Sequence, residues 1–215
     1  MTQLSVKSPL LIIGAGGHGR VVAALAKRVG YPVGGFLERA PKPMVEGLPI
    51  LGGDEYLDAN PTADICVAMG LASRVSWQRR WELCKQVDAL GSSVPQLIDP
   101  DATMASSVEI GRGTQVLMGA RVQIGASIGE WCVVNTAAVI EHDCLIHSYT
   151  HVAPGAVLCG GVTVGEGTHV GAGSVIMEGV TIGSHATVGL GAVVIRDVAD
   201  GQTVVGVPAR GTDAH

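Results

Sequence analysis

The chain has 215 residues, a net charge of −5 and 47% hydrophobic residues, yet only 3% aromatics and as many as 31 glycines. The length suffices for one or two domains with a buried core. The negative balance excludes a nucleic-acid footprint, which needs a clustered basic face, and the scarcity of rings excludes a core built on aromatic area. Five cysteines, Cys66, Cys84, Cys132, Cys144 and Cys159, form no C-x-x-C pair and read as reduced thiols of a cytoplasmic protein. The longest apolar run near the N-terminus, Pro9 to Ile13, is too short for a signal segment or a membrane span, so neither is expected.

Residues 1–97 read as an α/β unit. Leu10 to Ile13 is a buried strand, followed by a Gly-rich turn from Gly14 to Arg20 and an apolar helical stretch from Val21 to Val29. Gly30 and Pro32 end that helix, Val33 to Leu37 is a second strand, and Arg39 to Pro49, with three prolines, reads as loop. Asp64 to Met69 is a third strand ending at Gly70, and Trp77 to Leu90 has helical spacing with Trp77, Trp81, Leu83 and Cys84 on its buried side. The pattern is β-α-β with a parallel sheet, a Rossmann-like arrangement. Gly14, Gly16 and Gly19 form G-x-G-x-x-G between strand and helix, with Glu38 at the end of the second strand. Taken alone this suggests NAD, but about a hundred residues make only half a dinucleotide fold. A half-fold holds one nucleotide. The helix N-terminus offers N–H groups to a phosphate, and His18 sits in the turn, so the reading is a nucleoside diphosphate carried by a sugar.

Residues 98–215 repeat. From Ile98 to Val194 the first residue of seventeen consecutive six-residue blocks is aliphatic, and the fifth, from Ala102 to Val198, is never larger than Val. A triangular coil explains this: three short strands per turn, an aliphatic residue pointing inward from each, and a small residue where the chain turns. Coils bury their faces only against one another as parallel strands. The fold expected is therefore a left-handed parallel β-helix of hexapeptide repeats, with a C-terminal tail. A purely structural β-helix would present a flat array of repeated residues, whereas here the outward positions are irregular and carry His142, His147, His151, His169 and His185.

His142 lies between Glu141 and Asp143. An imidazole with a neighbouring carboxylate is the usual equipment of a general base, suited to taking a proton from an amine or hydroxyl that attacks a thioester. Residues alternate along an extended strand, so Asp143 is expected to act across a corner or a subunit boundary, and Glu141 remains a candidate. His151 and His169, one coil apart, stack on one face. Without a third ligand there they are not expected to bind metal, and His151 suits a contact to the acyl donor.

The Gly-rich turn Gly14 to Gly19, the strand end Ala68-Met69-Gly70, the segment Val134-Asn135-Thr136 through His142-Asp143-Cys144, His151 to Gly155 and the closing Val205-Gly206-Val207-Pro208-Ala209 together resemble the PglD/NeuD-type sugar acyltransferases. The resemblance implies a homotrimer with active sites between subunits, acetyl-CoA as acyl donor and a nucleotide-linked amino sugar as acceptor. It implies His142 as base supported by Asp143, acetyl-CoA contacts at His151, Ala172 and Leu190, and nucleotide-sugar contacts at Gly16, Gly17, His18 and Gly70. Relatives acting on uridine nucleotides carry two acids after the second strand, where this chain has Glu38-Arg39. Glu38 would then read the base, accepting from uracil or from the Watson–Crick edge of guanine. Acetylation of a free sugar such as sialic acid is the alternative activity, and a non-catalytic scaffold is the alternative class.

Overall fold

A computed structural model describes residues 8–40, 44–60, 66–72 and 77–212. The chain splits into two compact units, Met1–Leu97 and Ile98–His215.

The first unit is built on a five-stranded sheet. Strand β1 (Leu10–Ile13) leads into helix α1 (Gly17–Arg28), then β2 (Val33–Leu37), β3 (Met44–Val45), β4 (Leu48–Gly52), helix α2 (Glu55–Ala59), β5 (Cys66–Met69) and helix α3 (Trp77–Ala89), with strand order β3-β4-β2-β1-β5. β1 is fully apolar because it is central, paired in parallel to β2 on one side and β5 on the other. Helix α1 buries Val22, Ala23, Leu25 and Ala26, a helical stripe, and places Lys27 and Arg28 in its last turn, where they complement the carbonyl end. Within Arg39 to Pro49, expected as loop, β3 and the start of β4 instead form an antiparallel pair, and β4 adds in parallel to β2. Proline density hid this pair. Pro49 sits at the β3 side of β4, opposite Met44. On α3 the buried side is Leu83, Cys84 and Val87, while Trp81 is only partly buried, with the Lys85 ammonium 5.5 Å from its ring centre. The expectation for Trp77 concerns a side chain outside the described residues, as do positions 64 and 65 of the third strand.

The second unit is a left-handed β-helix. Two-residue strands recur every six residues from Thr103–Met104 to Val193–Val194, and each up to Val175–Ile176 pairs in parallel with the strand eighteen residues on, as Val122 does with Ile140 and Ile140 with Leu158. Three faces result. The first runs through Val139–Ile140, the second through Leu145–Ile146 and the third through His151–Val152. The aliphatic residue of each strand points inward and is almost completely buried from Val116 to Val194.

The turn falls one residue earlier than the small position suggested. The fourth residue of every block from Gly113 to Gly191 has positive φ, and five of these are not glycine: Trp131, Ala137, Asp143, Tyr149 and His185. The small fifth residue lies inside the corner, and its chemistry is narrower than size alone. Thr114, Thr150 and Thr168 donate hydroxyl hydrogen bonds to the carbonyls of Gly129, Gly165 and Gly183 at 2.7, 3.0 and 2.7 Å. The thiols of Cys132 and Cys144 do the same to His147 and Cys159 at 3.2 Å. Glycines at the second position answer to close approach: a Cβ on Gly129 would lie 2.6 Å from the backbone nitrogen of Ser148.

The repeat shortens at its end. Val198, which the sequence register places at a fifth position, instead bridges Ile182, sixteen residues back, and Thr203 pairs with Thr187 in the same shortened register. Asp197 and Asp200 accept from the backbone N–H groups of Thr181 and Ser184, each at 2.8 Å. No helix among the described residues is long and apolar enough to cross a membrane.

Ile176 is fully buried in a close-packed layer. Ile176→Ala should lower unfolding stability by about 2–5 kcal/mol, transfer and cavity terms together. Denaturant titration measures it.

Candidate active site

His142 and Asp143 follow Ile140 at the corner between the first and second faces. Asp143 occupies the left-handed turn position, with φ 57°. That conformation swings its carboxylate back toward its own neighbour, where Oδ2 lies 2.9 Å from His142 Nδ1. The strand alternation expected from sequence therefore fails here, and Asp143 meets His142 within one corner rather than across a boundary. A carboxylate only accepts, so Nδ1 carries the proton and Nε2 presents its lone pair outward. Both side chains are exposed, by 60% and 72%. The Asp143 hydrogen bond holds the His142 imidazole above its ordinary pKa. Desolvation opposes this, while the charges of Asp143, Glu141 and Glu178 reinforce it. Glu141 thus contributes charge, and the bond to the ring is made by Asp143.

His151 stands on the third face, in register with His169, whose ring meets it edge-on at 4.9 Å between centres. Its Nε2 is 3.0 Å from Asn135 Nδ2. Asn135 Oδ1 already accepts the Thr136 N–H at 2.8 Å, which fixes the amide with its NH₂ toward the ring. The amide thus faces its donor side to the His151 ring nitrogen. Sequence reasoning missed Asn135 as its partner, although sixteen residues, near one coil, separate the two. Ala172 and Leu190 lie one coil apart at the corner between the third and first faces, tied by the Gly191 N–H to the Ala172 carbonyl at 2.9 Å. Leu190 is 78% exposed. These positions therefore follow a different corner from His142, and one chain does not bring the two sets together. Among the described residues no group of three or more His, Cys, Asp or Glu is arranged to hold a metal ion.

In the first unit the Gly-rich turn joins the C-terminal end of β1 to α1. Parallel strands flank β1 in opposite chain directions, to β2 and to β5, which creates a crevice at their carboxyl ends. Gly16 and Gly17 are exposed there and His18 half-buried. No side chain caps the start of α1, the condition under which helix N–H groups bind anions. Gly70 is buried below the turn, its N–H given to Ile13, and a Cβ there would stand 2.5 Å from the Gly14 carbonyl oxygen. Its role in the geometry is close packing.

Glu38 does something the sequence did not disclose. Its Oε2 accepts the Ala15 N–H at 3.0 Å and its Oε1 the Ala40 N–H at 3.3 Å, so it clamps the Gly-rich turn to the end of β2. Burial pushes this carboxyl up. The N–H bonds from Ala15, Ala40 and Arg39 and the charge of Arg79 outweigh that, and its pKa is lowered. Arg39 is exposed and reaches Asp54 at 2.6 Å, which Arg79 also holds at 2.8 Å.

Comparison with known proteins matches residues 9–86 to the PglD N-terminal domain, and residues 137–176 and 161–196 to the bacterial transferase hexapeptide (six repeats). Similar solved structures include the acetyltransferase domain of PglB from Neisseria gonorrhoeae, 37% identical over 95% of this chain and 100% of that one, with a TM-score of 0.91. That domain is also known in complex with acetyl coenzyme A. Perosamine N-acetyltransferase from Caulobacter crescentus, as a histidine-to-asparagine mutant in complex with CoA and GDP-perosamine, is 32% identical over 96% of this chain and 97% of that one, with a TM-score of 0.90. WeeI from Acinetobacter baumannii is 26% identical, covering 95% and 99%, with a TM-score of 0.83.

Glu38→Gln keeps one acceptor and loses the charge. It should cost about 1 kcal/mol of stability at neutral pH after a discount for exposure. Because the folded carboxyl has a lowered pKa, this contribution is present above the ordinary carboxylate range and is lost as pH falls through the depressed value. Urea titrations of both proteins at two pH values read the difference.

Proposed function

Because the chain belongs to the PglD-type sugar acyltransferases and is an acyltransferase, we propose that it transfers the acetyl group of acetyl-CoA to the amino group of a nucleotide-linked amino-deoxy sugar, a UDP- or GDP-linked 4-amino sugar. The observation that carries this reading is the exposed His142–Asp143 pair, with Nδ1 bound to the carboxylate and Nε2 open. The solved relatives that hold acetyl coenzyme A, or CoA with GDP-perosamine, support the donor and acceptor classes.

The chemistry follows from the pair. The amine nitrogen attacks the thioester carbonyl carbon, and its proton passes to His142 Nε2. Asp143 stabilises the imidazolium through Nδ1–H. The tetrahedral intermediate then expels the CoA sulfur, which takes the proton from Nε2, giving amide and free thiol. The diphosphate lies at Gly16, Gly17 and His18 against the start of α1, over Gly70, with Glu38 and Arg39 beside the base. CoA runs past His151, Ala172 and Leu190. Those residues follow a different corner from His142, which favours a site completed between subunits and hence a homotrimer.

His142→Ala should slow turnover by about 10²–10⁴-fold, with nucleotide affinity and oligomeric mass unchanged. Turnover near that of the unaltered enzyme would sink the mechanism. A panel of UDP-, GDP- and dTDP-linked amino sugars with acetyl-CoA and a free-thiol readout identifies the acceptor. Since Asp143 raises the imidazole pKa and the base works unprotonated, the acid limb of kcat/KM lies above the ordinary histidine value. Asp143→Asn should move that limb to lower pH and reduce the plateau.

A further inference from the structure

Glycine has two uses in this β-helix. At the fourth position of a block it takes the left-handed turn, and at the second it lets neighbouring backbones approach. The third position needs neither, and among the seventeen third positions from Pro100 to Arg196 the only glycine is Gly160. Its φ lies outside the left-handed region, and none of the three atoms nearest to a Cβ built on it is backbone. The atoms it would meet belong to the His142 ring one coil before: Cε1 and Nε2, each at 2.5 Å, and Cδ2 at 3.1 Å. On the other side a Cβ on Gly125 would collide with the Asp143 carboxylate. The imidazole therefore leans toward the next coil and the carboxylate toward the previous one, with their hydrogen bond between.

We propose that Gly160 is a positioning residue for the base: its missing Cβ lets the His142 ring lie against the backbone of the next coil, which holds Nδ1 within reach of Asp143. This rests on His142 acting as the base. The other charged groups around the ring are Glu141 beside it and Glu178 two coils on.

Gly160→Ala is the test. The backbone conformation admits alanine, so the variant should fold with an unchanged melting temperature while the ring swings off Asp143. Three results are expected. kcat should fall on the order of 10²-fold, the scale of a displacement of about 1 Å at a reacting group. The titration of the His142 Cε1 proton, followed by NMR, should move to lower pH along with the acid limb of the rate profile. In a His142→Ala background, Gly160→Ala should cause no further loss. An unchanged His142 titration, a loss of equal size in that background, or failure of Gly160→Ala to fold would each overturn the proposal. If His142→Ala alone retains full activity, the base assignment fails instead. An inactive His142→Ala beside a Gly160→Ala with unaltered rate and titration removes only the inference about Gly160.

Discussion

Everything in the repeat unit depends on one constraint: each strand donates its backbone N–H groups to the strand of the next coil, eighteen residues on until the shortened last coil. That pairing makes position along the chain equivalent to position on a surface. It lines up aliphatic side chains as a continuous core and fixes which outward side chains meet. His151 touches His169, and His142 rests over Gly160, because each pair is one coil apart. The site residues are thereby placed by the same hydrogen bonds that stabilise the fold, and a slip of one residue would remove both.

The corners supply what the strands cannot. A strand two residues long offers little freedom to aim a side chain, and alternation would separate neighbours. At the left-handed turn the chain reverses that alternation, which is how adjacent residues such as His142 and Asp143 come to share a hydrogen bond. Non-glycine residues at this turn carry a strain that glycine avoids. For Asp143 the return is an imidazole of raised basicity with a defined tautomer.

Much of this was legible in the sequence, for a physical reason. An aliphatic residue in every sixth position over seventeen blocks fits only a stacked triangular coil, so the fold followed from periodicity. His142 stood out as a candidate base through its exclusion from that core and its acidic neighbours. Less was legible where the backbone departs from its own rule. Asp143 turns inward toward His142 through a φ value that its residue type does not announce. The final coil is two residues short, so Val198 enters the register at Ile182. Met44–Val45 and Leu48–Pro49 pair despite the proline at 49 and those at 41 and 43 before them. Glu38, expected to read the nucleotide base, also clamps the Gly-rich turn, its two oxygens accepting N–H groups from Ala15 and Ala40. The first of these bonds is invisible to spacing because it joins the turn to a strand end twenty-three residues away.

The acids that close the stack carry a further consequence. A coil of parallel strands could in principle grow without limit, because its last turn offers the same backbone groups as every turn before it. Here Asp197 and Asp200 occupy the N–H groups of Thr181 and Ser184, and their carboxylates put negative charge on the edge that would template another chain. The antiparallel strand Arg210–Gly211 covers Val204–Val205 beside them. The stack is thus closed by its own chain: two aspartates and a folded-back strand take up backbone groups at the final turn.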